Sequence, residues 1–216
     1  MTQDFDVLIV GSGLAGLSAA LHLAPTHRVA VITKRSVSDG ASAWAQGGIA
    51  AVLADGDSFE AHINDTLVAG AGLCDLAATR FVVENAPDAI AWLRALGVPF
   101  SLEGGELHLT REGGHGARRI AHVTDATGAA VQRTLIDVVR ATPGITLFEN
   151  HTLVDLITTR KLGLSGLGSP QRCLGLYALD EATDEVLTFR APQTILATGG
   201  AGKVYLYTTN PDTATG

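Results

Sequence analysis

The 216-residue sequence is poor in cysteine, in aromatic residues and in charge. Its two cysteines, Cys74 and Cys173, lie far apart and match no metal-ligand spacing, which argues against a disulfide framework and favours a reducing compartment. No apolar run approaches the ~18 residues that a membrane-spanning helix needs. The acidic start Met-Thr-Gln-Asp-Phe-Asp is unlike a signal peptide. These absences predict a cytoplasmic protein without a membrane span.

Positive charge is also scarce, since 15 lysines and arginines stand against 22 aspartates and glutamates, for a net charge of −7. A chain of this charge is a poor general nucleic-acid binder, so we expect no nucleic-acid partner. What the chain has in excess is glycine, 25 residues, together with 46% hydrophobic residues. That composition indicates a packed globular protein, in which many glycines serve either close approach of the backbone to another group or turns with positive φ.

The N-terminal residues predict a strand, a glycine turn, a helix and a second strand. Asp6–Val10 is an apolar strand of the kind buried in parallel sheets, and Gly11-Ser-Gly-Leu-Ala-Gly16 follows it directly. A helix ending near Pro25 leads to the second strand, Arg28–Thr33. This pattern is a βαβ unit, over residues 4–35, of the type that binds dinucleotides. Gly11 permits the tight turn, Gly13 admits a pyrophosphate, and Gly16 lets the helix pack on the strand.

Residues 39–142 are expected to form a helical and loop segment. Helices are predicted over 59–97, with Asp75 as an N-cap, Pro87 in a first turn and Gly97 as the stop.

The segment 108–122 has no period and is expected to be loop, whereas Thr127 begins a helix. Segment 161–170 is expected to be an exposed loop. Short strands are predicted at 145–148, 152–158, 172–179, 186–190 and 194–198.

Two cofactors are compatible with the glycine pattern. Lys34 and Arg35 follow the second strand, where an acidic residue usually contacts the ribose, so an NADP 2′-phosphate site is one interpretation. The small-residue stretch Ala41–Gly48 and a second glycine turn in Thr194–Lys203 favour FAD instead. A nicotinamide domain of this size needs no second glycine turn there.

Three of the seven histidines lie in the segment 108–122, together with three arginines and three glycines. His108, His115 and His122 are spaced i, i+7 and i+14 with no cysteine nearby, so no metal site is expected. The cluster therefore calls for a different explanation, and of the three histidines His115 is the best candidate to line a site.

Several long motifs in order resemble the succinate dehydrogenase/fumarate reductase flavoprotein family. They are Gly11–Gly16, Ala45–Val52, Ala197–Gly200 and Val204–Asp212. Two further stretches are similar to the branch of that family that oxidises L-aspartate to iminoaspartate at the start of bacterial NAD synthesis, through quinolinate. These are Asp65–Asp75, and His108–His115 with Arg118-Arg119-Ile120.

The resemblance implies an α/β fold, a Rossmann-like FAD-binding domain with a parallel central sheet and a small antiparallel β-meander. It also implies that the chain, ending at residue 216, is truncated before the capping domain, with the acid/base arginine beyond that end. We therefore expect the 216-residue piece to be inactive by itself. FAD is expected to be non-covalent, because 36–48 contains no histidine. The residues implied to contact FAD are Gly11, Ser12, Gly13, Leu14, Ala15, Gly16, Lys34, Ala41, Ser42, Ala43, Trp44, Ala45, Gln46, Gly47, Gly48, Leu153, Val154, Ala197, Thr198, Gly199 and Gly200.

For the segment 108–122, the resemblance implies a substrate role. Glu112, between Arg111 and two glycines, matches the glutamate that orients the substrate ammonium in the aspartate-oxidising branch. The implied substrate is L-aspartate, with oxygen or fumarate as acceptor, and quinolinate synthase is the implied downstream partner. The alternatives are a soluble fumarate reductase or succinate dehydrogenase-type flavoprotein, and an inactive nucleotide-binding fragment.

Overall fold

The computed structural model describes residues 2–124, 126–164 and 170–216. Two compact units are present: the first takes in the chain up to Ala43 and from Leu135 onward, and the second is Trp44–Thr134. The helices are α1 (Leu14–Leu23), α2 (Phe59–Ala69), α3 (Leu76–Ala95) and α4 (Thr127–Ala141), with 3₁₀ turns at Ala41–Trp44 and Gly202–Val204. The strands are β1 (Thr2–Asp4), β2 (Val7–Val10), β3 (Val29–Ile32), β4 (Ile49–Ala50), β5 (Leu102–Glu103), β6 (Glu106–Leu107), β7 (Leu109–Thr110), β8 (Ile120–Ala121), β9 (Ile145–Phe148), β10 (His151–Thr158), β11 (Cys173–Asp180), β12 (Glu185–Arg190) and β13 (Gln193–Leu196).

The first unit is built on a parallel sheet with strand order β13-β2-β3-β9. Every residue of β2 and β3 is buried, as expected for apolar strands covered on both faces. Alternate residues of β2 point to opposite faces. Val7 and Ile9 pack with α1 through Ala20, while Leu8 and Val10 pack with Leu176 and Phe189 of the antiparallel strands.

The second layer of strands in this unit has the order β1-β12-β11-β10, antiparallel except where β1 joins β12 in parallel. Leu176, Ala178 and Phe189 are fully buried at its contact with the parallel sheet. The first unit is thus a helix, a parallel sheet and an antiparallel meander in successive layers. This architecture confirms the predicted fold class, whereas the strand β1 had no prediction.

The second unit combines helices α2 and α3 with short strands. Ser58 caps α2 by accepting the amide of Ala61, and Asp75 caps α3 by accepting the amide of Ala78 at 2.7 Å. The strands form a sheet of order β4-β8-β7, beside the hairpin β5-β6. Within the described ranges, no helix has both the length and the apolar character needed to cross a membrane.

The structure differs from two local predictions, and a third lies partly outside the described residues. Pro87 lies inside α3 rather than in a first turn, because Asp75 starts a single helix that continues to Ala95. The segment 108–122 is not all loop, since β7 and β8 pair within it even though each is only two residues long and carries no period. Residues 165–169 of the predicted loop 161–170 lie outside the described residues.

Candidate functional site

A cavity of about 320 Å³ opens in the first unit where β2, β3 and β13 end. The carboxyl ends of parallel strands are where open α/β sheets bind ligands. Gly11–Gly13 and Ala197–Gly200 line it, with Ala41 and Ser42 of the 3₁₀ turn and Leu153 of β10. Its size lies at the lower end of the usual range for small-molecule sites.

Close backbone packing holds the two glycine turns together. The amide of Ala197, in the second turn, donates to Val10 O at 2.8 Å beside the first turn, while the amide of Gly11 ties the first turn to β3 by donating to Ile32 O at 2.9 Å. A Cβ added at Gly11 would lie 2.2 Å from Ala197 O, and Gly11 has a φ of +111°. A Cβ at Gly16 would lie 2.0 Å from Gly11 O. Both positions therefore require glycine for the protein's own packing.

Helix α1 begins at the cavity, with its N-cap Gly13 in the cavity wall. Gly13 is its N-cap, without a side-chain cap hydrogen bond and with no acidic residue in the first turn. The amide of Leu14 donates to Ser42 Oγ at a long 3.4 Å. A helix start of this kind presents N–H groups and positive potential to an anion such as a phosphate.

Glycines without a packing requirement line the same cavity. A Cβ at Gly13 would meet only Ser42 Oγ, at 3.6 Å, and a Cβ at Gly200 would have no heavy atom within 4 Å. Open space around these positions leaves room for the close approach of a ligand to the backbone. The cradle therefore fits the diphosphate of a dinucleotide.

The two basic residues after β3, Lys34 and Arg35, have different surroundings and partners. Lys34 lines the cavity and donates through Nζ to Thr215 Oγ1, and burial, with repulsion from Arg35, lowers its pKa. Arg35 is paired instead with Glu181, and is not among the lining residues. A 2′-phosphate site made of both cations is thus not assembled.

Eleven of the residues expected to contact FAD line this cavity: Gly11, Ser12, Gly13, Lys34, Ala41, Ser42, Leu153, Ala197, Thr198, Gly199 and Gly200. The expected contacts of the first unit that do not line it are Leu14, Ala15, Gly16, Ala43 and Val154. The remaining five, Trp44, Ala45, Gln46, Gly47 and Gly48, belong to the second unit.

Gly48 has a packing requirement of its own within the second unit. A Cβ there would lie 2.4 Å from Ile120 Cγ2 and 2.5 Å from Ala121 O, because β4 begins at the next residue and pairs with β8. Its glycine thus needs no cofactor contact to explain it.

Sequence reasoning missed several lining residues. Thr33, at the carboxyl end of β3, accepts a buried hydrogen bond from Ser12 Oγ at 3.0 Å. His151 and Thr152 also line the cavity at the start of β10, as do Asp39, Gly40 and residues 213–216. The rule that ligands bind beyond the carboxyl ends of parallel strands could have found Thr33. No comparable signal marks the others.

In the second unit, Glu112 lies in the hairpin loop that joins β7 to β8, which we call the 111–118 loop. The loop is closed where the amide of Arg119 donates to Thr110 O at 3.1 Å. Glu112 is exposed, and its Oε1 accepts the amide of Gly48 at 3.4 Å. Among the described residues, no ion pair involves Glu112. Its carboxylate is therefore available to a cation.

Behind the loop lies a fully buried arginine, Arg119. Its Nε and Nη2 donate to the two oxygens of Asp57 at 2.9 and 2.8 Å, and its Nη1 donates to Asp65 Oδ2 at 2.7 Å. These hydrogen bonds, those to Asp57 foremost, raise the pKa of Arg119 against the effect of burial. This planar, bidentate arrangement is the one for which arginine is suited.

The histidines of the 108–122 segment take two separate places. His108 Nδ1 and His122 Nε2 lie 3.1 Å apart, sharing one hydrogen bond. His115 packs against the buried His62, with 5.6 Å between ring centroids, and its Nδ1 lies 3.5 Å from Arg119 Nη1. Across the part of the chain that the structure describes, no group of three histidine, cysteine or acidic residues could hold a metal ion.

Known proteins similar to this chain support a dinucleotide as the occupant of the cavity. Residues 6–216 match the family described as FAD binding domain. The chain is 63% identical to L-aspartate oxidase 1 of Ralstonia nicotianae and 54% identical to L-aspartate oxidase of Pseudomonas aeruginosa, over 99% and 98% of its length. It spans 40% of the length of each of these curated relatives. Its fold matches the E. coli quinol fumarate reductase protein FrdA with a TM-score of 0.90 and 32% identity, covering 99% of this chain and 36% of that one.

These findings confirm the resemblance drawn from the motifs, and they favour FAD over NADP as the occupant of the cradle. The family match runs from the first strand of the βαβ unit to the last residue of the chain. The cavity offers what this cofactor needs, namely an uncapped helix start, two glycine turns and a lysine. The chain belongs to the FAD-binding domain family, and FAD is its cofactor.

Proposed function

We propose that the whole protein is an FAD-dependent L-aspartate oxidase, which converts L-aspartate to iminoaspartate for quinolinate and NAD synthesis. Oxygen or fumarate would accept the electrons. The support is the 63% and 54% identity to proteins of that name over almost all of this chain. We further propose that quinolinate synthase is the enzyme that uses the product. Both cysteines are free thiols, in keeping with a cytoplasmic location.

The residue that carries the substrate assignment is Glu112. L-Aspartate differs from succinate by one ammonium group, and an exposed carboxylate with no ion-pair partner among the described residues is suited to recognise it. A charge-assisted hydrogen bond of this kind is roughly twice as strong as a neutral one. Glu112 therefore orients the substrate by its ammonium.

The first unit holds the cofactor. Residues Gly11–Gly13 and the start of α1 receive the diphosphate, and Lys34 is placed for the adenosine side. Ala197–Gly200 closes the opposite wall of the same cavity. FAD supplies the two-electron redox chemistry when bound, and the protein supplies binding, orientation and electrostatics.

The test is an assay of the full-length protein with L-aspartate and, separately, with succinate. We expect turnover of L-aspartate, and Glu112→Gln should raise the KM for L-aspartate by about 10- to 100-fold, the effect of one hydrogen bond to a charged group. Fumarate reduction by the same variant should change by less than about threefold, since fumarate has no ammonium. Glu106→Gln, an exposed glutamate of β6, is the matched control and should leave both activities unchanged.

A second candidate is a soluble fumarate reductase or succinate dehydrogenase-type flavoprotein, favoured by the fold match to quinol fumarate reductase at 32% identity. Turnover of succinate without L-aspartate would establish it and overturn the first proposal. For the 216-residue chain alone we propose FAD or nucleotide binding without turnover. Activity of the purified piece with L-aspartate would contradict that.

A further inference from the structure

The 111–118 loop is fixed on one side by a carboxylate that lies 51 residues before Gly116 in the sequence. Asp65 Oδ2 accepts the amide of Gly116 at 2.6 Å and, with the same oxygen, Nη1 of Arg119 at 2.7 Å. One atom of α2 thus holds both the backbone of the loop and the side chain that follows it. The hydrogen bond from Gly116, together with that from Arg119, lowers the pKa of Asp65, so it is ionised at neutral pH.

Arg119 in turn cannot move without cost. Its side chain has no exposed area, and the Asp57 carboxylate that it grips by both oxygens is 2% exposed. Its backbone is held as well, because its carbonyl accepts the amide of Ala51 at 2.9 Å. Removing one member of such a buried group leaves an unpaired charge, which is costly. Asp57, Arg119 and Asp65 are therefore a rigid base for the loop.

Gly116, which donates its amide to Asp65, lies only four residues after Glu112. The amide of His115 donates to Glu112 O at 3.2 Å, which closes a turn over residues 112–115, and Gly116 follows at once. Gly116 also leaves little spare room, since a Cβ there would lie 3.2 Å from Asp65 Oδ2 and the carboxylate would have to shift. The turn that carries Glu112 is thus tied to Asp65 at its C-terminal end.

We propose that Asp65, backed by Arg119 and Asp57, is a positioning residue that fixes the turn carrying Glu112 and so sets how well the enzyme recognises the substrate ammonium. This inference rests on the proposed function for its substrate, and on the geometry of the loop alone for the positioning. Asp65 does not touch the substrate; it acts through Gly116 and the turn. Without it, Glu112 keeps its charge but loses its fixed place.

The experiment uses the full-length FAD-loaded enzyme with Asp65→Ala, Asp65→Asn and Glu112→Gln, singly and combined. Asp65→Ala should raise the KM for L-aspartate about tenfold, as expected for a misplaced charged contact, and change fumarate reduction less than about twofold. In the Glu112→Gln background the same substitution should have almost no further effect on L-aspartate, because the two residues act through one contact. Asp65→Asn, which can still accept both hydrogen bonds, should restore most of the affinity.

A second readout needs no turnover. Hydrogen exchange of the amides of residues 112–116 should be about tenfold faster in Asp65→Ala than in the wild type, with FAD content unchanged. Gly116→Ala, whose Cβ presses on Asp65, should speed exchange in the same direction. Gly113→Ala is its matched control, since a Cβ there has no heavy atom within 4 Å.

The outcomes separate the two proposals. Equal losses with L-aspartate and fumarate, full additivity with Glu112→Gln, or unchanged exchange at 112–116 would each overturn the positioning role. If the wild type oxidises no L-aspartate, the proposed function fails, and exchange alone decides the positioning: faster exchange in Asp65→Ala supports it, and unchanged exchange overturns it. If Asp65→Ala does not fold, Gly116→Ala against its control Gly113→Ala carries the same comparison.

Discussion

The two compact units form their functional features in different ways, the first from backbone and the second from charged side chains. In the first, the cavity is shaped by backbone: a Cβ added at Gly11 would lie 2.2 Å from Ala197 O, and α1 starts without a side-chain cap. In the second, the loop carrying Glu112 is held by charged side chains, with Arg119 bound to Asp57 and Asp65. The backbone-built turn has no room for a Cβ at Gly11, whereas the charge-built loop depends on the hydrogen bonds between Arg119 and its two carboxylates.

The largest effect is expected at the backbone-built cavity. Gly11→Ala places a Cβ on Ala197 O and demands a φ of +111° from alanine, so the glycine turns must separate. FAD binding should weaken about 1,000-fold or more, which is over ~4 kcal/mol. The measurement is the flavin absorption that remains with the purified full-length protein.

The matched change in the second unit is Gly113→Ala, which has open space for its Cβ. It should retain FAD as the wild type does. Retention of FAD by Gly11→Ala, or loss of it by Gly113→Ala, would break the contrast between the two units.

The next effect concerns the charge-built base of the loop. Arg119→Met fills a similar volume but leaves the carboxylates of Asp57 and Asp65 without their cation, and should destabilise the second unit by about 3–5 kcal/mol. This loss of stability is measured by urea unfolding of the full-length protein, with hydrogen exchange of the α2 amides as the probe of the second unit.

Arg118→Met is the control, because Arg118 is exposed and its Nε makes one hydrogen bond, to Leu109 O at 2.9 Å. Its cost should stay within about 1 kcal/mol. Equal costs for the two arginines would show that the buried cluster contributes nothing special.

Acid should loosen the second unit through the same carboxylates. Hydrogen bonds from Gly116 and Arg119 lower the pKa of Asp65. Burial raises the pKa of Asp57, but the hydrogen bonds from Arg119 and the Ser58 amide, together with the positive charge of Arg119, lower it overall. Because the folded pKa values lie below the unfolded ones, this stabilisation is complete above about pH 4 and is lost as the pH falls through the folded values. Exchange in the 111–118 loop, corrected for its intrinsic rate, should quicken below that pH. A wild-type loop that stays equally protected to pH 2 would refute this.

The smallest effect is at a helix cap. Asp75 Oδ1 accepts the amide of Ala78 at 2.7 Å at the start of α3, so Asp75→Ala should cost about 1 kcal/mol and quicken exchange in the first turn about fivefold. Asp88→Ala, an exposed position of the same helix, should change exchange by less than about twofold. Helix α1, whose N-cap Gly13 makes no side-chain cap hydrogen bond, lacks such a contribution. Equal exchange rates in Asp75→Ala and Asp88→Ala would show that the side-chain cap does not distinguish α3 from α1.

The sequence allowed the backbone-built unit to be predicted well, because its signals are local. A short apolar strand, three glycines and an apolar helix follow one another within 20 residues, and each has one structural use. The predicted strand Ile145–Phe148 is found at those bounds. Lining residues such as His151 carry no pattern that distinguishes them before the strands are assembled.

The second unit was less predictable for the opposite reason. Arg119 and its partner Asp57 are 62 residues apart, and nothing in the local pattern of either pairs them. The resemblance pointed to Glu112, but the carboxylate that ties its loop, Asp65, becomes visible only when α2 and the loop are seen together. Strands β7 and β8 are two residues long each, too short for a period to be read.

The most direct test of the central claim is a crystal structure of the full-length protein with FAD. The account predicts that the diphosphate lies at the start of α1, within hydrogen-bond distance of the amides of residues 12–15, with Ala41–Ser42 and Ala197–Gly200 against it. A diphosphate bound away from α1, or glycine turns separated so that no cofactor lies between them, would contradict it.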